Sequence, residues 1–351
     1  MKISTSLLPL ALAAVATVPS FTAAKNVTLS VLTNNLYLMS KILYPNWGQD
    51  ARAQLIANSD YIKYHDVIVF EECWDSSPCG ILRNGLQSQY PYQTPTVGST
   101  KSGWDSTSGS YSSLIPENGG VVIMSKWPIT QKRQFIYKDA CGADWYARLQ
   151  IFSICHRAQQ IFATTNNLLS PRCLYHQYTR FSLKGFAYVE INYQGTNIHV
   201  FGTHTQSDDS ACTSGQAAND RASQLSSMRS YIDSLNIPSD ELVIMAGDFN
   251  IDRNSAEYAD TLTRLNVNQA GTFDGFAYTW DPKTNEIAHY NYPNDPSQYI
   301  DFVFTDKKHK AVNSMAQTSL YVKSPEYIIQ SVAYHEYSDH YPVQSIIEVD
   351  L

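Results

Sequence analysis

Eight short apolar segments with strand character run through this chain, and they limit its fold more than any other feature. Helical patterns occupy residues 50–63, 220–236 and 256–266. Strands outnumber helices and do not alternate strictly with them, so we predict packed β-sheets flanked by helices rather than a barrel. The predicted strands are residues 27–32, 66–70, 120–125, 185–192, 198–202, 241–246, 299–305 and 341–349.

The length and net charge of the chain further limit the classes of protein to which it can belong. The chain has 351 residues, 43% of them hydrophobic, which is enough for one large core. Its formal net charge is −7. Proteins that hold nucleic acid nonspecifically through its phosphates usually carry a basic face, so this charge disfavours that class.

The first 24 residues have the pattern of a secretory signal peptide. Lys2 precedes an apolar stretch at 7–18, and Thr22, Ala23 and Ala24 offer a cleavage site. The alternative is a buried N-terminal helix. The apolar stretch is too short to span a bilayer comfortably, and no other segment could span one. We therefore expect a soluble, secreted, extracellular protein whose residues 25–351 form a single domain.

Six cysteines in a secreted chain favour disulfides over metal thiolates. Cys73 and Cys79 are close enough for a small loop. The remaining four allow three pairings that spacing does not rank: Cys141, Cys155, Cys173 and Cys212.

One segment differs in composition from its surroundings. Residues 148–183 contain no Gly, Asp, Glu or Lys, but they include four arginines and two cysteines. Three interpretations remain open: an extra helical element, a mobile insertion, or translated sequence from a retained intron.

Two acids end the predicted strand 66–70. Adjacent strand residues point to opposite faces, so only one of Glu71 and Glu72 is expected to face a given cleft. A carboxylate at a strand end can hold Mg²⁺, which prefers few protein ligands and several waters. An ordinary solvated strand terminus is the alternative.

Two further strand ends carry polar side chains. Asp248 and Asn250 lie two apart and could project to the same side, where they could orient water and bind phosphate oxygen. An Asx-type turn would explain the same residues. His204 could donate to a phosphoryl oxygen, although a lone histidine is more often structural.

The tripeptide Ser338-Asp339-His340 precedes the last predicted strand. His340 is well placed to act as a general base, and it needs a carboxylate partner to fix its tautomer. Asp339 is adjacent, but neighbours in an extended segment diverge. Asp301 is the better candidate, because an aspartate inside an apolar strand requires a partner.

Together these motifs resemble the metal-dependent phosphohydrolases related to DNase I, exonuclease III and the inositol phosphatases. Within that superfamily the chain looks like the secreted neutral sphingomyelinases of the bacterial type. The resemblance covers nearly the whole mature chain except 148–183. The matching motifs are residues 34–40 (NNLYLMS), 43–53 (LYPNWGQDARA), 72–75 (ECWD), 119–128 (GGVVIMSKWP), 202–206 (GTHTQ), 279–281 (TWD), 299–301 (YID) and 338–342 (SDHYP).

The resemblance implies an α/β fold, a four-layer sandwich with two central mixed sheets packed face to face and helices outside. It implies Mg²⁺-dependent cleavage of sphingomyelin to ceramide and phosphocholine, with Mn²⁺ or Co²⁺ as possible replacements for Mg²⁺. The expected partner is sphingomyelin in membrane surfaces, met by a peripheral monomer that binds no nucleic acid.

The resemblance also implies roles for individual residues. Glu72 would bind the metal with Asn35 beside it, and Asp339 would support the metal-bound waters. His204 would stabilise the transition state, and His340, held by Asp301, would be the general base. The residues implied to orient water and phosphate are Asp248 and Asn250, and further family acids in supporting places are Asp144, Asp209 and Asp281.

The resemblance pairs Cys141 with Cys212, which bracket the unusual segment. In related sequences the stretch at Cys141 passes within a few residues to Lys-Gly-Phe, here beginning at Lys184. Segment 148–183 is then an insertion. A retained intron is our first hypothesis for it, and a genuine surface excursion is the second.

The chain departs from the family pattern at two places. An acidic pair that forms a side metal site in some relatives reads Pro116-Glu117-Asn118 here, so a second metal is doubtful. The membrane-contacting hairpin corresponds to residues 327–334, which lack Trp and Phe; Tyr327, Ile328 and Ile329 could still contact a membrane. The alternative functions are a nuclease or phosphoinositide phosphatase of the same fold, or a noncatalytic membrane-binding relative.

Overall fold

The computed structural model describes residues 25–42, 44–45, 47–113, 115, 117–142 and 182–351. The predicted signal peptide, Asp144, Cys155, Cys173 and most of segment 148–183 lie outside the described residues. The helices are α1 Gln49–Asn58, α2 Ser76–Leu86, α3 Gln216–Ser234, α4 Ala256–Leu265 and α5 Glu286–Asn291. None of the helices formed by the described residues is long and apolar enough to cross a membrane.

The strands fall into two seven-stranded sheets and one hairpin. The strands are β1 Asn26–Leu38, β2 Val67–Cys73, β3 Tyr92–Gln93, β4 Ser106–Gly109, β5 Val122–Ser125, β6 Ile129–Ile136, β7 Gly185–Tyr193, β8 Thr196–His204, β9 Leu242–Asp248, β10 Val267–Asn268, β11 Thr272–Gly275, β12 Asp301–Asp306, β13 Ser314–Ser319, β14 Tyr327–Ile329, β15 Val332–Tyr334 and β16 Val343–Asp350. Sheet A has the order β11-β13-β16-β1-β2-β5-β3, and sheet B has the order β10-β12-β9-β8-β7-β6-β4. Both sheets mix parallel and antiparallel pairs.

Three apolar layers hold the sheets and helices together. The central one lies between the two sheets and includes Val69 of β2, Val200 of β8 and Ile244 of β9. A second packs α1 and α2 against the outer face of sheet A, and a third packs α3 and α4 against sheet B. Each fully buried aliphatic side chain contributes about 1.5–3 kcal/mol. The predicted four-layer α/β sandwich is confirmed.

Two glycines allow the strands that lead to one end of the sandwich to approach closely. A Cβ on Gly202 in β8 would lie 2.7 Å from Val69 Cγ1 of the opposite sheet. Gly247 in β9 has φ +151°, and a Cβ there would lie 1.9 Å from the Thr203 carbonyl oxygen. Only glycine fits such contacts. The ends of β8 and β9, which carry His204 and Asp248, are thereby held side by side.

Helix α2 is absent from the sequence prediction. Its sequence contains Pro78, Gly80 and Gly85, which weaken a helical pattern. The helix nevertheless begins at the Asp75 cap, whose side chain accepts from the Ser77 backbone N–H at 3.0 Å. The disulfide between Cys73 and Cys79 ties its first turn to β2. The structure also joins Cys141 to Cys212, the pairing that the resemblance implies.

The C-terminal end of the predicted insertion 148–183 contacts the core. Leu183 is buried in the central core and donates its backbone N–H to the Glu117 carbonyl at 3.0 Å. Gly98 and Gly119 pack against it, since a Cβ on either would lie within 2.6 Å of Leu183 atoms. Leu183 therefore contributes to the packing between the two sheets.

The hairpin formed by β14 and β15 presents fewer residues to the outside than predicted. Tyr327 and Ile329 are buried against Tyr37 and Tyr334 in a small apolar cluster. Ile328 is 61% exposed and Val332 is 52% exposed. Of the three residues considered for membrane contact, Ile328 is exposed while Tyr327 and Ile329 are buried, because alternate strand residues point to opposite faces.

Candidate active site

His340 and Asp301 meet at the edge where strands of both sheets end. His340 Nδ1 lies 3.0 Å from Asp301 Oδ2, and both side chains are buried. Burial opposes protonation of the imidazole, but Asp301, Asp339 and Asp248 outweigh it and raise the pKa of His340 well above its usual range. The structure thus brings together the two residues that the sequence pairs.

Asp248, the last residue of β9, links several groups of the site. Its Oδ1 accepts from the Asn250 backbone N–H at 2.8 Å, and its Oδ2 accepts from Asn35 Nδ2 at 3.0 Å. The same Oδ2 lies 3.6 Å from His204 Nε2 and 3.9 Å from His340 Nε2. The Asx-type turn considered for this residue is therefore present, and its carboxylate also lies beside both histidines. Burial, followed by the neighbouring Asp301, raises the pKa of Asp248 to about 6.

Glu71 and Glu72 immediately precede Cys73, the last residue of β2. Glu72 adopts φ 55°, a left-handed conformation that breaks the alternation of an extended strand. Burial, followed by repulsion from Asp339, raises the pKa of Glu72 to about 7. Glu71 accepts from Thr33 Oγ1 at 2.7 Å, and its pKa is raised by burial and then by Asp301. Both carboxyl groups therefore interact electrostatically with aspartates of this site.

His204 closes the far side of the cleft. Its Nε2 lies 3.9 Å from Glu72 Oε1 and 3.1 Å from Lys184 Nζ. Burial, then the positive charge of Lys184, holds the pKa of His204 well below its usual range, so the ring is neutral. The Trp74 ring stands at 61° to the imidazole plane, with centroids 6.2 Å apart.

Two other predicted residues lie beside these groups. Asp339 is buried, accepts from Ser338 Oγ at 3.2 Å and raises the pKa of Glu72. Asn250 donates its side-chain Nδ2 to the Thr205 carbonyl at 3.2 Å. The structure therefore brings together every predicted catalytic and metal-binding residue around one cleft.

The supporting acids predicted from the resemblance do not reach these groups by any contact between described residues. Asp281 accepts from Ser297 Oγ at 2.6 Å, Thr284 Oγ1 at 2.7 Å and the Lys283 N–H at 3.0 Å. These bonds organise the loop before α5. Asp209 accepts from the Ala211 N–H at 2.7 Å beside the Cys141–Cys212 disulfide. Asp144 lies outside the described residues.

Sequence reasoning missed Arg52 and Lys184. Arg52 is fully buried in α1 and donates to the carbonyls of Leu36, Tyr37, Trp47 and Tyr337. It fastens the end of β1 to the segment that leads into His340. A buried arginine in a helix with few apolar residues was the available signal. Lys184 immediately precedes β7, and its approach to His204 depends on the register of β7 on β8, which the sequence does not specify.

The donor set fits a hard divalent cation. One ligand atom each from Asp248, Asp301 and His340 lies within 4.8 Å of the others. Buried Glu72 Oε2 and Asp301 Oδ1 have no hydrogen-bond partner among the described residues. Carboxylate and amide oxygens are the ligands that Mg²⁺ prefers, and a cation would offset the repulsion that raises these pKa values.

The fold and this cleft define a class of phosphoester hydrolase. Residues 33–340 match the model of the Endonuclease/Exonuclease/phosphatase family, and the chain belongs to that family. A more distant solved structure from Bacteroides thetaiotaomicron, described as an endonuclease/exonuclease/phosphatase family protein, shares the fold with a TM-score of 0.56 at 14% identity.

Much stronger similarity points to one branch of the family. The chain is 39% identical to phospholipase C of Staphylococcus aureus, over 90% of this chain and 86% of that protein. It is 37% identical to a sphingomyelinase C of Bacillus cereus, over 93% and 90% of the two chains. The chain is therefore a member of the sphingomyelinase C group.

Two solved structures extend this similarity to three dimensions. Sphingomyelinase C from Streptomyces griseocarneus is 40% identical and has a TM-score of 0.79, covering 91% of this chain and 99% of that one. A beta toxin mutant from Staphylococcus aureus, solved with bound magnesium ions, is 38% identical with a TM-score of 0.79 and the same coverage.

Proposed function

We propose that this protein is a Mg²⁺-dependent sphingomyelin phosphodiesterase that hydrolyses sphingomyelin to ceramide and phosphocholine. The observation that carries the proposal is the buried His340–Asp301 pair beside Asp248 and Glu72, with His340 Nδ1 3.0 Å from Asp301 Oδ2. The names and the bound magnesium of the similar proteins support the substrate and the metal.

His340 is the proposed general base. Asp301 occupies Nδ1, so Nε2 is left to take a proton from the attacking water. The water oxygen forms a bond to phosphorus while the bond from phosphorus to the ceramide oxygen breaks. Ceramide leaves as an alcohol after gaining a proton, and phosphocholine remains as the other product.

The other polar residues orient the reacting groups. Asp248 accepts from Asn35 and from the Asn250 backbone, so its carboxylate is fixed beside both imidazoles. Asn250 and Asp248 are proposed to align the water and the phosphate. His204, a neutral ring at the far side of the cleft, is proposed to face the phosphoryl oxygens as charge develops there.

Glu72 and Asn35 are proposed to hold the Mg²⁺ ion, with Asp339 supporting its waters. Asn35 hydrogen-bonds Glu72 and Asp248, so the two carboxylates are joined through one amide. When bound, Mg²⁺ supplies Lewis-acid polarisation of the phosphate and stabilises the departing oxygen. A second metal at Glu117 and Asn118 is not part of the proposal.

The membrane-contacting face is proposed to be the hairpin and the adjoining part of α5. Ile328 and Val332 project from the hairpin, and Tyr290 of α5 is 65% exposed. Trp47 contacts both elements. Its ring centroid lies 5.2 Å from that of Tyr290 in α5 and 6.3 Å from that of Tyr334 in the hairpin. Exposed apolar residues grouped in this way are typical of surfaces that enter a lipid interface.

The protein is proposed to be secreted and to act as a peripheral monomer. The N-terminal pattern of a charge, an apolar stretch and small residues supports export, as do the two disulfides. Mass determination of the protein recovered from culture medium, with sequencing of its new N-terminus near residue 25, tests this part.

The central experiment measures phosphocholine release from sphingomyelin liposomes with Mg²⁺ and with EDTA. We expect rapid release that EDTA abolishes and added Mg²⁺ restores. Lysophosphatidylcholine and DNA serve as parallel substrates, because the fold is shared with nucleases. Preferential DNA cleavage, or release that EDTA does not affect, would contradict the proposal.

A further inference from the structure

Lys184 reaches the active site because of strand register. It immediately precedes β7, which pairs antiparallel with β8 such that Phe186 lies opposite Thr203. Extending that register by two places sets Lys184 opposite Thr205. On its other side the Lys184 carbonyl accepts from the Tyr137 N–H at 3.0 Å. The backbone of Lys184 is therefore bonded to Tyr137 and lies next to the strand that ends at His204.

Its side chain points at the catalytic candidates. Lys184 Nζ lies 3.1 Å from His204 Nε2 and donates to the Thr205 carbonyl at 2.8 Å. Its charge also acts on Glu72, whose pKa it lowers against the larger effect of burial. Among contacts between described residues, no other lysine or arginine nitrogen touches a candidate catalytic side chain.

Lys184 places a positive charge among several acidic side chains, where an anionic substrate would bind. Five acids surround the reacting position: Glu71, Glu72, Asp248, Asp301 and Asp339. A phosphodiester is an anion, and it gains further negative charge on its nonbridging oxygens as phosphorus becomes five-coordinate. Ionised carboxylates repel this charge, so a positive charge that faces those oxygens favours the transition state.

Resting on the proposed function, we propose that Lys184 is a catalytic residue whose ammonium donates, beside His204, to a nonbridging oxygen of the phosphate. Nζ and Nε2 are 3.1 Å apart, with Nζ donating to Nε2, so a phosphate oxygen that replaces this contact can accept from Nζ and, when the neutral ring carries its proton on Nε2, from His204 as well. An ammonium is a donor only, so Lys184 favours negative charge at this point and disfavours a free cation there. In the proposed arrangement, the phosphate binds beside Lys184, and the metal ion binds at Glu72 and Asn35.

A purely structural role makes different predictions. A lysine that only fastens the Thr205 carbonyl would, on removal, loosen the strand end that also carries His204. Thermal stability, Mg²⁺ affinity and turnover would then fall together. Loss of a phosphate donor instead lowers kcat while Mg²⁺ affinity rises, because a positive charge near Glu72 has been removed.

The experiment compares wild type with Lys184→Met and Lys184→Arg, using Lys126→Met as the matched control. Lys126 lies at the opposite end of β2, where its backbone N–H donates to Asp66. Kinetics are measured on sphingomyelin micelles and on 4-nitrophenyl phosphorylcholine, a soluble phosphodiester. Mg²⁺ binding is measured by calorimetry without substrate, and folding by thermal denaturation.

We expect Lys184→Met to lower kcat by about 10²-fold or more, as for removal of one oxyanion donor, with an unchanged melting temperature. Lys184→Arg should recover at least about ten-fold of that loss, because it keeps the charge. Mg²⁺ should bind Lys184→Met more tightly than wild type, and Lys126→Met should match wild type throughout.

Three outcomes would overturn the inference. They are a kcat for Lys184→Met within about three-fold of wild type, a parallel fall in melting temperature and Mg²⁺ affinity, and an arginine variant no more active than the methionine one. Wild-type cleavage of the soluble diester without cleavage of sphingomyelin would contradict the proposed lipid substrate alone, and Lys184 would still be tested on the soluble diester.

Discussion

Asp301 holds His340 from a position 39 residues earlier in the chain, with Oδ2 3.0 Å from Nδ1. Asp301 begins β12 and pairs across the sheet with Asp248 of β9. The same strand pair therefore sets both the partner of the proposed base and the carboxylate 3.9 Å from its other nitrogen. Asp301 and Asp248, the proposed orienting group and the proposed water-aligning residue, are thus held in one β-ladder, and His340 is bonded to it through Asp301.

The first prediction concerns Asp301→Asn. We expect kcat to fall by about 10²-fold or more, because the amide no longer fixes the imidazole tautomer or balances its charge. Asp301 raises the pKa of His340, so the pKa of the base falls in the variant. The acidic limb of the profile of kcat/KM against pH should therefore move to lower pH. Steady-state kinetics from pH 5 to 9 measure both effects.

His340→Ala is the companion variant. We expect it to abolish hydrolysis while circular dichroism and thermal denaturation remain those of a folded protein. Substantial Mg²⁺-dependent turnover by this variant would remove His340 from the role of base.

The strand ends explain why so much of this site could be predicted. Asn35, Glu72, His204 and Asp248 each lie within three residues of the C-terminal end of a mostly buried strand, where a polar side chain can reach the end of the sheet. Asp301 was found by a different signal, a carboxylate inside an apolar strand, which requires a partner.

The other features of the site and the fold could not be predicted, because they depend on strand register, packing and local backbone conformation, which the residue pattern does not specify. Lys184 reaches His204 only through the register of β7 on β8, which local sequence does not specify. Helix α2 contains Pro78, Gly80 and Gly85 and is held by its cap, a disulfide and packing. Glu71 and Glu72 were separated by strand alternation, which the left-handed backbone of Glu72 breaks.

The second prediction concerns the pH dependence of Mg²⁺ binding. The pKa of Glu72 is raised to about 7 and that of Asp248 to about 6, so protons compete with the metal below neutral pH. We expect Mg²⁺ affinity to rise on the order of ten-fold or more between pH 5.5 and 8, with release of protons. Calorimetry in buffers of different ionisation enthalpy measures both quantities.

The same pKa shift affects the stability of the metal-free protein. The folded pKa of Glu72 exceeds the value of 4.5 expected for an unperturbed glutamate, so the folded state binds more protons between about pH 4.5 and about 7. Its contribution to stability is full below pH 4.5 and is lost as pH rises through about 7. Glu72→Gln should remove this contribution and flatten the pH dependence of Mg²⁺ binding; unchanged dependence in that variant would contradict the assignment.

The third prediction tests the proposed membrane face. Ile328→Asp should reduce binding to sphingomyelin liposomes by about ten-fold or more, because it replaces an apolar side chain with a charge at the interface. Hydrolysis of soluble 4-nitrophenyl phosphorylcholine should remain unchanged. Tyr64→Asp is the matched control, since Tyr64 is 82% exposed and precedes β2 at the other end of the sheet. Equal loss of binding in both variants would argue against the hairpin.

The fourth prediction concerns Arg52, whose guanidinium donates to four backbone carbonyls in the interior. Arg52→Met should lower the free energy of unfolding by about 3 kcal/mol or more, because it leaves buried carbonyls without donors. Arg264→Met is the control: its exposed pair with Asp260 should contribute only about 0.5 kcal/mol. Urea denaturation compares the two, and equal effects would contradict the buried anchor.

The last prediction concerns segment 148–183 and the point at which it meets the core. We propose that residues 148–183 are an insertion, with a retained intron as the first hypothesis. At its end, Ser182 pairs with Glu117, and Leu183 is 1% exposed, packs in the central core and bonds to Glu117. Deleting 148–181, which keeps both residues, should preserve folding and sphingomyelin hydrolysis, while deleting 148–183 should destabilise the protein by about 2–5 kcal/mol, as for loss of a buried leucine side chain. Thermal denaturation and phosphocholine release compare the two deletions. A folded, active 148–183 deletion would contradict the core position of Leu183, and a mature transcript that encodes the segment in the active protein would remove the intron hypothesis.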